Sequence, residues 1–448
     1  MGHPAAAEVV NAVCLLFARL TQHADIKQRP TAQSAANVLW ALATMGHQAT
    51  AEVLDTVTTH FAHITDSPNA KQRPNAQAVA NVVWALGTLK HTPSDDRLLD
   101  CFCSHFRTLL QSQDQRTRPD AQATANMLWA LKELKHAPAH DVVSAMLDRL
   151  LVLCQTPGLQ PKSQEISNCL LSCAALRLGV QPACVETFMY HLLGMPVSRV
   201  AHQEYCNIAW SLAVMGCLTI SNFDALLRQL SFKTVFEQLP IAERQQLHHA
   251  LAWLKPAQGS QQMEAWSSLR SRLQAVAPER PTTKLYVPGQ SEMWAALALH
   301  SLPYKVQVPC GTYRADAVLS PCRSNGADVL MMVERPHDFI TNVPRVLGHV
   351  AFRNSMLGRC GIGGGQDRAA SGLLPMLNWR AVWFCLLGVS LWGGIHAPNA
   401  SVLATSVYWP SSKQNAASTR SFSQLQLMTQ TVTSVATVLL DFVSALLV

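Results

Sequence analysis

The chain has 448 residues, of which 49% are hydrophobic and 14% are charged, and its formal net charge is +7. This charged share is well below the ~25% of ordinary domains, and together with the hydrophobic share it excludes an intrinsically disordered chain. The net charge is too small to indicate an anionic partner by itself, so the positions of the basic residues matter more than their number.

The chain begins within a repeated pattern. Residues 1–10 match residues 45–54, which are the middle of a longer repeat, so the first helix of the N-terminal repeat is missing. We therefore interpret the sequence as a truncated or fragmentary chain. The lack of a targeting peptide then says little about the compartment.

Three closely similar stretches follow, at residues 29–47, 73–91 and 118–136. Each reads R-P-x-A-Q-x-x-A-N-x-x-W-A-L, and their tryptophans, Trp40, Trp84 and Trp129, are 44 and 45 residues apart. Weaker copies occupy residues 162–180 and 201–218, and residues 246–255 resemble a sixth, degenerate copy. Such a period is the signature of a solenoid of stacked repeats.

Each copy predicts a helix with its own start signal. Thr31, Asn75 and Asp120 carry side-chain oxygens that cap free helix N–H groups, and the proline before each one separates the helix from what precedes it. Gly46 predicts the end of the first of these helices. A second helix is predicted after each copy, at residues 51–64, 97–111 and 141–153. The fold class is therefore mainly α, with an α-solenoid of two-helix repeats over residues 1–255.

A basic pair precedes the first helix of each strong repeat. Stacking aligns these pairs along one edge of the solenoid, where they would neutralise the phosphates of RNA. The alternative is a solvated loop whose charges maintain solubility. The candidate RNA-binding residues are Lys27, Arg29, Lys71, Arg73, Arg116 and Arg118.

The recurring Gln and Asn side chains are not predicted to read bases, because residues that read a sequence vary between repeats. We expect the asparagines to form a ladder of buried amide hydrogen bonds between repeats, and the tryptophans to belong to the core. Variable neighbours are the stronger candidates for base readers. The asparagines are Asn37, Asn81, Asn126, Asn168 and Asn207, and the variable neighbours are Ser34, Ala78, Ala123, Glu165 and Glu204.

The thirteen cysteines do not form C-x-x-C pairs. Cys101 and Cys103 lie two residues apart, and Cys169 and Cys173 share a helix face, but no second pair lies at a distance that suits zinc. Buried, reduced thiols are predicted, and no metal or cofactor is expected.

The pattern changes after residue 255. Residues 256–284 predict a linker region with one short helix. A helix at 292–300, strands at 305–309, 313–319 and 329–334, and a helix at 344–360 predict a small α/β domain over residues 285–361. That last helix carries the further RNA-binding candidates Arg345, Arg353 and Arg359.

Two motifs carry a family resemblance. The runs V-E-R-P-H-D-F-I-T-N and L-G-H-V-A-F-R-N-S-M-L resemble the RAP domain. The A-Q-x-x-A-N-x-L-W-A-L repeats resemble those joined to RAP domains in algal octotricopeptide-type and FAST-kinase-like proteins. The resemblance implies RNA binding and control of RNA processing, stability or translation in the chloroplast or the mitochondrial matrix.

RAP domains resemble reduced PD-(D/E)xK nucleases, whose carboxylates hold a divalent metal that activates water. Asp316 and Glu334 are the vestigial catalytic candidates here. Met332 and Arg335 depart from the family pattern, and no lysine follows at the needed position, so we predict that the protein is not an enzyme. A protein-binding scaffold with a degenerate RAP module, or a metal-dependent RNA endonuclease, are the alternatives.

Residues 362–448 form an atypical tail that fits no part of this pattern. An uncharged apolar run at 381–395 is shorter than the ~20 residues that span a membrane, so a membrane is not predicted as a partner. A tail produced by mis-assigned splicing is our preferred interpretation.

Overall fold

The computed structural model describes residues 7–231, 238–256, 261–273, 304–310, 313–319, 329–331, 338, 340–343, 345 and 347–359. The helices in its first part are α1 Ala7–Thr21, α2 Ala32–Met45, α3 Ala51–Thr65, α4 Ala76–Leu89, α5 Arg97–Leu110, α6 Ala121–Glu133, α7 His140–Cys154, α8 Ser163–Leu176, α9 Pro182–Leu193, α10 His202–Val214, α11 Ile220–Ser231, α12 Ile241–Trp253 and α13 Met263–Leu273. The later elements are β1 Tyr304–Cys310, β2 Tyr313–Leu319, β3 Val329–Met331 and α14 Gly348–Arg359.

The helices α1–α13 belong to one compact unit, which also includes the segments Ile340–Val343 and Leu347–His349. Within it, the even-numbered helices from α2 to α12 pack against one another in one layer, and the odd-numbered helices from α1 to α13 form a second layer. We call these the inner and outer helices. The chain alternates between the layers, so the predicted solenoid of helix pairs is confirmed.

The predicted helix start signals are confirmed. The side chains of Thr31, Asn75 and Asp120 accept hydrogen bonds from the backbone N–H groups three residues later, at 3.2, 2.8 and 2.7 Å. The predicted stop at Gly46 is also confirmed, since this residue caps α2 with a left-handed φ of 64°. Lys90 adopts the same conformation at the end of α4, although it has a side chain.

Side-chain size differs between the two layers. Between the inner helices α4 and α6, a Cβ added at Gly87 would lie 3.0 Å from the Cα of Ala130, so the two backbones come very close. Between the outer helices α3 and α5, the rings of Phe61 and Phe102 meet edge to face with centroids 5.5 Å apart. The small residues at this inner contact let the two inner helices approach closely, whereas the large rings fill the contact between the two outer helices.

Helix α13 lies within the stretch predicted as a linker, where it packs against α11 and α12 as a further outer helix. Its Trp266 is buried and donates its indole N–H to the carbonyl of Leu251 at 3.0 Å. The helical stack therefore continues beyond residue 255.

The second unit contains an antiparallel sheet in the order β1-β2-β3, with Tyr304 opposite Leu319 and Ala317 opposite Met331. These strands match the three predicted ones, although the described part of β3 ends at Met331. Helix α14 begins four residues later than predicted. The predicted helix at 292–300 and the tail at 362–448 lie outside the described residues.

In the part of the chain that the structure describes, none of the helices combines the length and hydropathy that crossing a membrane requires.

Candidate nucleic-acid interface

The loops before α2, α4 and α6 share one construction. Asp25 accepts a hydrogen bond at 2.9 Å from the backbone N–H of Lys27, Asn69 accepts one at 3.1 Å from Lys71, and Asp114 accepts one at 2.9 Å from Arg116. An Asp or Asn that binds the backbone two residues later forms a tight local turn. The turn fixes the backbone of each basic residue while its side chain remains exposed.

The arginine that follows in each loop has a defined structural contact. Arg29, Arg73 and Arg118 donate Nε–H to the carbonyls of residues six positions earlier, at 2.7, 2.6 and 2.6 Å. These bonds close the loop that joins an outer helix to the next inner helix. The regular spacing of the arginines is therefore required by the loop itself, and it is not evidence for RNA on its own.

The six predicted cations nevertheless remain accessible. Five are exposed and Arg118 is half-buried. Within the described ranges, none of the six forms an ion pair with a carboxylate, whereas Arg107 pairs with Asp141 and Arg97 with Asp95. We call this set, Lys27, Arg29, Lys71, Arg73, Arg116 and Arg118, the basic edge.

A contact that the sequence did not reveal supports each loop from the outer layer. The Nε2–H groups of His60, His105 and His191 donate to the carbonyls of Pro30, Pro74 and Pro161 at 2.8, 2.9 and 3.0 Å. Arg149 makes the same contact with Pro119 through Nε at 2.8 Å. The signal was present as a His or Arg that follows each proline by 30 or 31 residues.

Burial lowers the pKa of His60 and of His105 below the ordinary value of a histidine. The hydrogen bond to the proline carbonyl opposes this shift in each case, and the nearby Arg29 or Arg73 adds to it. These histidines therefore resist protonation in the folded state, mainly because burial disfavours the charged imidazolium, and secondarily because a further positive charge beside the basic edge is unfavourable.

Among the described residues, one face of α2 is exposed, and the same face of α4 and α6 is partly exposed. Along α2 the side chains of Gln33, Asn37 and Trp40 are exposed, with 46% of Trp40 accessible. The spacing of four and three residues places them on one helix face. The same face recurs on α4 and α6, where the Gln is exposed and the Asn and Trp are half-buried.

The predicted buried amide ladder is therefore wrong for most repeats. Asn37 is exposed and accepts a hydrogen bond within its own helix from Gln33 at 2.8 Å. Asn207 alone among the five is buried, and its Oδ1 accepts a 2.9 Å bond from Gln246 of the next inner helix. The other asparagines, Asn81, Asn126 and Asn168, are half-buried.

The prediction of core tryptophans is also wrong for Trp40, and Trp84 and Trp129 are only partly covered. Contact positions between inner helices are filled by small residues such as Ala36, and the backbones lie too close to admit an indole. The rings of Trp84 and Trp129 instead meet on the partly exposed face, with centroids 6.5 Å apart and planes inclined by 33°.

The variable residues considered as base readers have other roles. Ala78 and Ala123 are buried. Glu165 accepts a hydrogen bond from the backbone N–H of Lys162 at 2.8 Å, and Glu204 accepts one from Ala201 at 2.9 Å, so both carboxylates cap their helices. Ser34 contacts the hydroxyl of Thr31 at 2.9 Å.

The cysteines of the described part are free thiols, and most are buried. Burial raises the pKa of the Cys101 and Cys154 thiols to about 11. Over the described residues, no group of three or more His, Cys, Asp or Glu side chains is arranged to hold a metal ion. Buried thiols therefore account for these cysteines.

The candidates in the second half are described only in part. Arg345 is exposed, Arg353 on α14 is half-buried, and Arg359 is the last residue of that helix. Asp316 lies in the middle of β2. Glu334, like Met332 and Arg335, lies outside the described residues.

Two comparisons of this chain with known proteins gave no match. No protein-family model matches it, and no curated protein matches it. A function for this chain therefore has to be argued from the repeats, from their geometry and from the sequence motifs.

Proposed function

We propose that this protein binds RNA along the basic edge of its helical stack. The observation that carries the proposal is the repeated loop, which presents two accessible cations per repeat with no carboxylate paired to them among the described residues. Cations repeated at a regular spacing suit a polymer whose negative charges are also regularly spaced. The tight turns hold these cations in place before binding, which lowers the entropic cost of ordering them.

The C-terminal part extends this proposal. Its resemblance to a RAP domain supports a second RNA contact through Arg345, Arg353 and Arg359, on a small α/β domain related to reduced PD-(D/E)xK nucleases. The same resemblance supports action in organellar RNA processing, stability or translation, in a chloroplast or a mitochondrial matrix.

The test replaces one exposed cation per loop with glutamine and keeps the arginines that form hydrogen bonds within the loops. In a Lys27→Gln, Lys71→Gln, Arg116→Gln variant we expect weaker binding to single-stranded RNA. We also expect the slope of log affinity against log salt concentration to flatten by about 0.7 per lost phosphate contact, or about 2 in all. Lys255→Gln, an exposed lysine after α12, is the matched control.

An unchanged salt slope in the triple variant, with Lys255→Gln also unchanged, would contradict binding at the basic edge. Circular dichroism of each variant checks that the helices remain folded. Arg29, Arg73 and Arg118 are unsuitable as the first probes, because their substitution removes loop hydrogen bonds and charge together.

A protein-binding scaffold is the second candidate, and one contact favours it. The segment Ile340–Val343 lies against the end of α6, where Asn342 accepts a hydrogen bond from the backbone N–H of Ala137 and donates one to its carbonyl, both at 2.8 Å. Thr341 donates its backbone N–H to the carbonyl of Lys135, also at 2.8 Å. The helical stack can thus hold an extended peptide through backbone groups.

A metal-dependent RNA endonuclease is the third candidate, and we expect no cleavage. Two carboxylates would fill only a few coordination positions of a metal ion, and water would occupy the others. In addition, the sequence supplies no lysine beside Glu334. Incubation of the full chain with labelled RNA and Mg²⁺ or Mn²⁺ tests this expectation. Cleavage that is lost in both Asp316→Ala and Glu334→Ala would make the protein an enzyme.

A further inference from the structure

The partly exposed tryptophans form a surface that the basic edge does not account for. We call Trp40, Trp84 and Trp129 the indole row. Trp266 shows how a core tryptophan behaves in this fold, since it is only 7% exposed and its N–H is bonded to a carbonyl. In the described part of the chain, the indole N–H groups of Trp84 and Trp129 make no hydrogen bond to protein, so burial does not explain these rings.

The separation of two of these rings suits a flat aromatic ligand. Stacked bases repeat at ~3.4 Å, so a base held between two rings requires about 7 Å between them. The centroids of Trp84 and Trp129 are 6.5 Å apart, and their planes are inclined by 33°. The distance between the centroids is close to the spacing that one inserted base requires.

A cation lies beside this pair of rings. The Nζ of Lys132 is 5.6 Å from the centroid of the Trp129 ring. The same ammonium group pairs with Glu133 at 2.5 Å, and both side chains are partly exposed. A phosphate next to the inserted base would compete with this carboxylate for Lys132, so the attraction there is weaker than that of an unpaired lysine.

Amide side chains complete the surroundings. Gln77 and Asn81 precede Trp84 on the same face of α4, and Gln122 and Asn126 precede Trp129 on α6. Each face begins at the first turn of its helix, directly after the cationic loop. A continuous surface therefore runs from cations through amides to indoles, over about 10 Å between the Gln and Trp positions of one helix.

The geometry points to a base-binding slot between Trp84 and Trp129, which takes one unpaired base of a single-stranded RNA whose phosphates follow the basic edge. This inference rests on the proposed RNA binding. It adds that the inner helices bind the base, whereas the basic edge binds the phosphates. RNA fits better than an apolar peptide, because amides and cations surround the rings, whereas a peptide groove would be lined with aliphatic side chains. An indole can also stack on any of the four bases. This agrees with a tryptophan that recurs unchanged in the three strong repeats.

The experiment compares an oligouridine with an abasic oligonucleotide of the same length and charge. In Trp84→Leu and in Trp129→Leu we expect affinity for oligouridine to fall by about 5- to 150-fold, the range of stacking on one aromatic ring. The affinity for the abasic strand should not change, because its phosphates still reach the basic edge.

The chain offers its own control for folding. Leu171 occupies the tryptophan position of α8, so this repeat architecture already accommodates a leucine there. The conservative variant Trp84→Phe keeps a ring and should retain most of the oligouridine affinity. Leu171→Trp places an indole next in the row after Trp129 and should increase that affinity.

The outcomes separate the two proposals. If wild-type protein binds both strands equally and Trp84→Leu changes neither affinity, the slot is refuted and RNA binding at the basic edge stands. If neither strand binds, both proposals fail. The leucine variants could also lower the affinity for both strands by the same factor while their helical content and thermal unfolding are unchanged. In that case the rings do not contact bases, and the slot is again refuted.

Discussion

At the scale of single residues, an arginine of the basic edge can combine its hydrogen bond within the loop with the proposed contact to phosphate. The Nε–H of Arg118 is bonded to the carbonyl of Ser112, which fixes the guanidinium group at the surface. A guanidinium has five N–H donors, so the bond to the loop leaves others that can meet phosphate. Lysine has no donor in the equivalent position of its side chain, and it cannot replace this contact.

We therefore predict that Arg118→Lys lowers the free energy of unfolding by about 1 kcal/mol, since one hydrogen bond to the backbone is lost while the charge is kept. Chemical denaturation measures the change. Arg116→Lys in the same loop is the control, because the backbone N–H of Arg116 makes the loop contact and its side chain is exposed. Equal stability of the two variants would show that the bond to Ser112 does not hold the loop.

The buried histidines predict a dependence of stability on pH. The pKa values of His60 and His105 are lowered in the folded state, so the unfolded chain binds more protons as the pH falls below about 6.5. Stability is then fully present above that pH and decreases on acidification. Burial also lowers the pKa of His249, to about 4, which adds to the same trend.

Replacing His60 and His105 with glutamine keeps a hydrogen-bond donor that does not titrate. We expect this double variant to lose less free energy of unfolding than the wild type between pH 7 and pH 5. Denaturation curves at the two pH values measure the difference. If the double variant loses as much free energy of unfolding as the wild type between these pH values, the pH dependence arises from other groups.

At the scale of the helices, two kinds of repeated contact hold the layers in register. The outer-layer His and Arg side chains bind the proline carbonyls that precede the inner helices. A second set joins the ends of α4 and α6 to the preceding outer helices, with His91 bonded to Asp55 at 2.7 Å and His136 to Asp100 at 2.9 Å. Each contact joins residues about 30 to 36 positions apart, so it stabilises the stack and not the isolated helix.

Close approach of the inner helices makes Gly87 sensitive to substitution. A Cβ at this position would lie 3.0 Å from the Cα of Ala130, which is backbone and cannot turn aside. We predict that Gly87→Val lowers the free energy of unfolding by about 1–3 kcal/mol, the usual cost of overpacking.

Gly179 provides the comparison for this prediction, because a Cβ added there meets nothing within 4 Å. Gly179→Val should change stability by less than about 0.5 kcal/mol. Thermal or chemical unfolding of the two variants measures both values. Similar stabilities would mean that α4 and α6 can move apart without cost.

At the scale of the whole molecule, the segment Ile340–Val343 belongs to the same compact unit as the helices, although more than 200 residues separate it from α6 in the chain. Ile340 is buried, and Asn342 bonds both backbone groups of Ala137. A Cβ at the neighbouring Gly348 would overlap the carbonyl oxygen of Ala174, so only glycine fits there.

We predict that Asn342→Ala exposes the amide of Ala137 to solvent. Its hydrogen exchange should become about tenfold faster or more, because its acceptor is removed. Mass spectrometry or NMR on the full chain measures the rate. The exposed Arg345 is the control, and Arg345→Ala should leave the exchange of Ala137 unchanged; equal rates in wild type and Asn342→Ala would show that the segment does not rest on α6.

The sequence by itself determined the helical architecture. Local signals sufficed for the helix boundaries. A cap such as Asn75 bonds to the first turn of its own helix, and a glycine such as Gly46 ends a helix because it can adopt a left-handed φ. The repeat period then shows that the helix pairs stack. The positions of β1 and β2 followed in the same way from alternating residues.

The tertiary structure alone decided which faces are covered. Hydrophobicity predicted that Trp84 and Trp129 would be buried, but alanines and Gly87 bring the inner helices too close for an indole between them. Likewise, charge predicted a solvated or RNA-binding arginine at position 118, whereas the folded loop bonds its Nε–H to the carbonyl of Ser112. Burial and long-range hydrogen bonds arise from the distances between elements, and one residue's identity does not specify those distances.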